Sequence, residues 1–540
     1  MLLKLVDLFT FFAIVLRAGT LVFQSVLLGG VLFVLWVARA SPEAPEESIG
    51  RVQASSRRLL RIGAIGLAIV QLLYLYVNST VLMVTAEIGI DGVVGANFFI
   101  SGSIVLTAAL LTAIAARGKR SCWTLLVLVM VTMGASVMTN HAASRLAGRP
   151  LLILLSCMHE FSAGLWIGGL PFLVLGLFRA KDLTTQWYVA ERFSRMALIS
   201  VCALLISGLA MSVLYIGSWD AVLGTAYGVM VGAKAAMLGV LLLLGGANFL
   251  LIRNTSKETA LPRLRRLIEA EVGIGITVIL TAASLTSQPP AVDQLSETVT
   301  LTQIYQRFKP TLPRFMYQYV PEVAVGETVG GMAPVSKALA CNVDGVPLTS
   351  GLINNAIGSE SNHHWMGVVV LAMGLLALLA RTGKAPWAEY WPLLLIGIAI
   401  FVFLGDTECW PLGWKGFWAC WAYPESFQHR VAALVCVAFA VSELRVRKRR
   451  KENDPWAMVF PLMCAVGGAV LLTHSHAITN VKENLLVELS HVPMGVMAVF
   501  AGWARWLELR LPEKDRAIPS WIWPACFLLV GAGLLNYREM

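Results

Sequence analysis

The chain has 540 residues, 57% of them hydrophobic and only 14% charged, with a mean hydropathy of +0.72. Soluble globular domains carry about 25% charge, so a soluble enzyme or a nucleic-acid-binding protein is excluded. The net charge of +10 is then loop charge that sets membrane topology.

Repeated apolar runs of roughly 20 residues are long enough to cross a hydrocarbon core about 30 Å thick, which makes the chain an all-α, polytopic integral membrane protein. Fourteen spans are expected in an 8 + 6 arrangement. The first eight lie near 9–38, 59–85, 94–116, 122–140, 151–178, 197–217, 229–252 and 269–287. The other six lie near 365–380, 389–405, 425–444, 456–474, 487–508 and 519–536. The first run, after Met1-Leu2-Leu3-Lys4, lacks a small-residue cleavage site and reads as a retained span rather than a signal peptide. Between the two halves, 288–364 is the one sizeable polar segment. Pro289-Pro290, Pro310, Pro313 and Pro321 give it an extended start. The expected organisation is an eight-helix domain over 1–287, an outer loop or lid over 288–364 and a six-helix domain over 365–540.

Orientation follows from Lys and Arg. Alternate loops carry the basic clusters, among them Arg51/Arg57/Arg58, Arg117/Lys119/Arg120, Arg263/Arg265/Arg266 and the run from Arg445 to Lys451. The intervening loops hold few, such as Arg145, Arg149, Lys415 and Lys482. The positive-inside rule puts the first set in the cytoplasm, and an even number of spans leaves both termini outside. All eight histidines then fall in the outer half. His141 precedes span 5 and His159 lies two turns into it. His363 and His364 end the long segment, His429 opens span 11, His474 and His476 close span 12, and His491 opens span 13.

Histidine with methionine is copper chemistry: thioether suits Cu(I), and imidazole serves copper, zinc and iron. Met158 and His159 are adjacent, beside Glu160. In the second half His474-Ser475-His476 is followed by His491 and Met494, three apart and so on one helix face. Ionisable groups within a span are costly and are functional candidates by default. The candidate metal ligands are therefore Met158, His159, His141, His429, His474, His476 and His491. A single histidine can equally bond a neighbouring carbonyl, and most of the nineteen methionines are core filler; the shared outer placement of the histidines is what favours ligation. Gly168 and Gly169 read as a packing device, with Trp166 in the core. Glu271, inside span 8, is a candidate for pairing or for an ion path.

Smaller features complete the reading. The loop with Trp410, Trp414, Trp418, Trp421 and Tyr423 reads as an aromatic belt. Cys409 and Cys420 share that loop and could form a disulfide if it faces an oxidising compartment. The stretch 140–164 echoes 475–495 (His-Ala, Leu-Leu, Ser, His, Gly in order), as a parallel repeat would. No ATPase, phosphate-loop, heme C-x-x-C-H or hydrolase motif is present, so no enzymatic activity is expected.

Three stretches carry a family resemblance: "MHEFSAGLWIGGLPFL" (158–173), "EAEVGIGITVILTAASLTSQPPA" (269–291), and "GDTECWPLG…YPESFQHR" with "SNHHWMG". Together they resemble the bacterial copper-resistance D (CopD/PcoD) membrane proteins, in a long form with an additional C-terminal membrane section. The resemblance implies an inner-membrane protein that takes copper from the periplasm toward the cytoplasm, with His159 as the position carried over. It also implies a separate periplasmic carrier of the CopC type, since 288–364 lacks regularly spaced strands. Two rival readings remain. One is a redox protein holding heme b through histidines such as His429 and His491; the other is a copper sensor or docking scaffold without transport.

Overall fold

The structure is a computed structural model. It describes residues 9–539 apart from 43, 119–120, 140, 146–147, 295–296, 317–341, 346–347, 405–408, 412, 414, 450–453 and 473–480. Among the described residues every regular element is helical. In hydrocarbon a helix satisfies its own backbone polar groups, which is why long apolar runs take this form.

Helices stand at all fourteen expected positions. They are α1 (Phe9–Leu32), α2 (Glu46–Ala86), α3 (Asn97–Ala115), α4 (Cys122–Val137), α5 (Arg149–Trp166) continued by α6 (Leu170–Arg179), α7 (Leu183–Ile216), α8 (Ala226–Asn254) and α9 (Lys257–Leu285). After the polar segment come α10 (Ser350–Arg381), α11 (Leu393–Leu404), α12 (Pro424–Arg449), α13 (Val459–Leu471), α14 (Val481–Arg510) and α15 (Ala517–Leu535). Among the described residues, eleven helical segments are long and apolar enough to cross a membrane, and Cys122–Val137 and Pro455–Leu471 are shorter apolar helices. Helix α10 begins at Ser350, capped by the Thr349 side chain, so His363 and His364 lie well inside it.

The chain divides into two compact units, residues 1–217 with 234–288 and residues 218–233 with 289–540. In the first, α1 is central and packs on α2, α4, α5 and α9. The break between α5 and α6 explains the Gly168-Gly169 pair. A Cβ built on Gly168 would lie 1.9 Å from the Ser25 carbonyl oxygen, and one on Gly29 would lie 2.2 Å from the Gly168 carbonyl carbon. The α1 backbone therefore rests directly on the break, and Pro171 restarts the helix at its first turn. Trp166, at 2% exposure, is core. At the opposite end of α6, the Asp182 side chain caps α7 through the Thr185 amide (2.7 Å) and accepts a bond from Ser48. Burial raises the Asp182 pKa, but these donors outweigh it and hold the carboxyl below its usual value.

In the second unit, α10 packs on α15, α15 on α14 and α14 on α13, and the core holds a cluster of Trp391, Phe439, Phe460, Trp523 and Phe527. The basic-loop end is tied by Arg505, which bridges Glu443 (3.0 Å) and Glu508 (2.7 Å). At the histidine end, the polar segment is anchored by a buried pair, Arg307 to Glu483 at 2.6 Å. Glu483 also accepts the Val343 amide (2.6 Å), and Arg307 reaches the Glu539 carbonyl (2.6 Å).

Two stability outcomes follow. Gly168→Val inserts atoms where backbone already stands and is expected to cost at least ~1–3 kcal/mol, read as a lowered melting temperature in detergent. Glu483→Ala leaves Arg307 buried without its carboxylate and is expected to cost about 3–5 kcal/mol. Unchanged melting of that variant would mean that the pair does not hold the polar segment.

Candidate metal site

Four chemically active residues follow one another on α5: Cys157, Met158, His159 and Glu160. Successive helical positions point about 100° apart, so the four cannot converge, and the structure sends them two ways. His159 faces α7. Its Nδ1 lies 3.3 Å from Ser207 Oγ, while the Ser207 hydroxyl donates to the Ala203 carbonyl at 2.8 Å. The serine hydroxyl either donates to this ring nitrogen or accepts from it, as the tautomer dictates. Gly208 makes room for the ring, since a Cβ there would stand 3.2 Å from His159 Cε1. Lys234 of α8 is within electrostatic range of the ring.

Cys157, Met158 and Glu160 open instead into a cleft of about 890 Å³, which Met130 and Met133 of α4 and Met196 of α7 also line. Four thioethers, a thiol and a carboxylate therefore share one cleft a single helical position away from His159. Sequence reasoning found Met158 and missed the other three methionines, which lie on other helices and carry no spacing signal.

The remaining candidates divide. His429 on α12 and His491 on α14 belong to the second unit, where both are within electrostatic range of His363. His141 lies in a short helix, His141–Ser144, and its side chain is outside the described set. His474 and His476 lie outside the described residues, as does part of each echo segment. Among the described residues, no group of three or more His, Cys, Asp or Glu side chains is arranged to hold a metal ion.

Residues 187–285 match the family described as Copper resistance protein D. The CopD match takes in α8, α9 and nearly all of α7, including Ser207, Gly208 and Lys234 around His159, and it reaches into the 269–291 stretch. His159 itself lies N-terminal to it. The chain is also similar to Copper transport protein CutJ of Bacillus subtilis (strain 168), 37% identical over 158 residues. That stretch is 29% of this chain and 28% of the relative's length. No solved structure matches significantly.

Helix α7, most of which lies in the matched segment, thus supplies the surface that faces His159. Groups that orient a metal-ligating histidine typically contribute 10–100-fold in affinity. Gly208→Val is expected to crowd the ring and weaken copper retention roughly 10–100-fold, and His159→Ala is expected to do the same. Gly239→Val, where a Cβ meets nothing within 4 Å, should leave it unchanged. Metal analysis of the three re-purified variants checks this.

Proposed function

We propose that this protein handles copper at a bacterial inner membrane, capturing the ion on the histidine-bearing face and passing it toward the cytoplasm through the CopD-family unit. The observation that carries the reading is the donor set at α5. His159 sits beside a cleft with Cys157, Met158, Met130, Met133 and Met196. Thioether and thiolate suit Cu(I), and imidazole accepts copper in either state. His159 is the capture ligand with Met158 the next donor, and His141, His429, His474, His476 and His491 are further capture groups on the same face.

The topology that goes with this has fourteen crossings, both termini outside, and three sections over 1–287, 288–364 and 365–540. Two observations support it. Basic residues alternate between loops, and Cys409 and Cys420 form a disulfide, Cα atoms 6.0 Å apart, in the loop that leads to His429. Disulfides persist in oxidising compartments, as expected of a periplasmic loop. The cation–aromatic cage around Arg430, with Phe403 and Phe417 each at 5.0 Å and Trp421 at 5.7 Å, braces the same loop. A separate periplasmic copper carrier of the CopC type is the proposed donor.

The test is copper flux into sealed vesicles containing only this protein, with copper held reduced and counted inside. Uptake above protein-free vesicles is expected, reduced about tenfold or more by His159→Ala with Met158→Ala, the scale on which loss of orienting groups alone weakens metal sites. Absence of flux would overturn transport. Iron and a Soret band in place of copper would make the histidines heme ligands instead.

A further inference from the structure

We infer that Glu271 of α9 is a proton-carrying carboxylic acid on the inward side of His159, and that it gives up its proton as copper passes. The inference rests on the copper reading above and adds the counter-ion that the reading does not name.

Glu271 is buried, at 3% exposure, inside a helix that spans the membrane. Its partner is the Asn248 side chain of α8, which donates Nδ2–H to Oε1. Among the described residues Glu271 has no other hydrogen bond and no charged side chain within interaction range. The charges of the surrounding helices are engaged elsewhere. On α9, Arg265 bonds the Leu177 carbonyl and Gln186, and Arg266 pairs with Glu269 at 2.6 Å. On α7, Arg192 holds the Trp36 carbonyl and Arg195 pairs with Glu191. Lys234 of α8 acts on His159 instead, and neither Arg17 of α1, Arg179 of α6 nor Arg253 of α8 reaches Glu271. An ionised carboxylate with one neutral partner in a membrane is an uncompensated charge; a carboxylic acid is not.

The Asn248 amide shows where a proton belongs. Asn248 is 7% exposed, and its Oδ1 is buried with no hydrogen-bond partner among the described residues. A carboxylate only accepts, so it cannot serve that oxygen. A carboxylic acid can donate its O–H to Oδ1 and still accept the amide N–H on its other oxygen. The amide is nearly symmetric in shape, so the reverse orientation is the alternative. Turned over, Oδ1 would face Oε1, and two oxygens in contact need a proton between them. Both orientations call for a donor at Glu271.

The pair lies on the inward route from His159. Trp166 follows His159 on α5 by seven residues, about two turns. A Cβ built on Gly245 would stand 3.7 Å from Trp166 Cζ2 and 3.9 Å from Glu271 Oε1, so the indole and the carboxyl flank one glycine. Along α8, Lys234 and Asn248 are about four turns apart and point within about 40° of each other. One face of α8 therefore carries Lys234 toward His159, Gly245 beside Trp166, and Asn248 onto Glu271.

The exchange balances one for one. As a cuprous ion passes, the O–H bond of Glu271 breaks and its electron pair stays on the carboxylate, which faces the positive ion. The proton leaves toward the outer face. A proton from the cytoplasm then restores the acid, so one positive charge moves each way.

The experiment uses the full-length chain in sealed lipid vesicles. Infrared absorption at neutral pH is expected to show the carbonyl band of a protonated carboxyl that shifts in heavy water, is missing from Glu271→Gln and moves in Asn248→Leu. Should Glu271→Gln not fold, as read from its melting temperature, the Asn248→Leu shift decides. A carboxylic-acid region unchanged in these variants overturns the proton assignment. Cuprous ion kept reduced is then added outside, with a pH dye sealed inside. Uptake is expected to turn the lumen alkaline. Glu271→Gln is expected to retain copper as the unmodified chain does, while losing both uptake and the alkaline change. Uptake without alkalinisation overturns the exchange. Absence of uptake by the unmodified chain overturns the copper reading and the exchange with it, whereas the infrared band decides the proton on Glu271 independently.

Discussion

The arrangement of the first unit depends on a place with no room for a side chain. Where α5 ends and α6 begins, the α1 backbone lies against Gly168 so closely that a Cβ would fall 1.9 Å from the Ser25 oxygen. A membrane interior supplies little hydrophobic drive between helices, so association relies on close packing of small residues. That contact fixes where the break lies and hence the height and rotation of α5. His159 sits seven residues, about two turns, before Trp166, and its facing cradle at Ser207 and Gly208 exists only if α5 and α7 keep this register. A packing glycine and a candidate ligand are thus two ends of one constraint.

Most polar side chains in these helices are neutralised locally. Thr20, Thr112, Thr277, Thr281, Ser200 and Ser207 each donate to the carbonyl four residues earlier or nearly so. A hydroxyl satisfied this way costs a membrane helix little and signals nothing. Against that background the buried groups that draw on a second helix stand out, among them Gln24 with the Thr132 carbonyl, Ser101 with the Ala135 carbonyl, His159 with Ser207, and Glu271 with Asn248. Each draws on a second helix, and each sits where burial of an unmatched polar group would cost several kcal/mol.

The fold was legible because its governing variable, the length of apolar runs, is written directly in the sequence. The site was legible only in part. Histidines are few, so their placement on one face could be read, and His159, His429 and His491 emerged from it. Met130, Met133 and Met196 could not be read, since methionine is ordinary filler in so apolar a chain and only packing decides which thioethers share a cleft. The surroundings of His363 and His364 are hidden for a different reason. The stretch "SGLINNAIGSESNHHW" is polar enough to read as loop, which puts the expected span at 365, whereas Thr349 caps the helix and it begins at Ser350. A start fifteen residues earlier turns two histidines at a loop's end into residues inside a packed helix.

That shift also settles why adjacent histidines have different chemistry. On a helix, His363 and His364 point about 100° apart; in a loop they could have acted as a pair. One direction meets the Arg314 and Tyr537 backbone, the other meets His491 and the Tyr537 ring. The backbone partners use both nitrogens of His364, while the Ser359 carbonyl uses only one of His363. Which neighbours a histidine meets is decided here by helix rotation, which a sequence pattern does not carry.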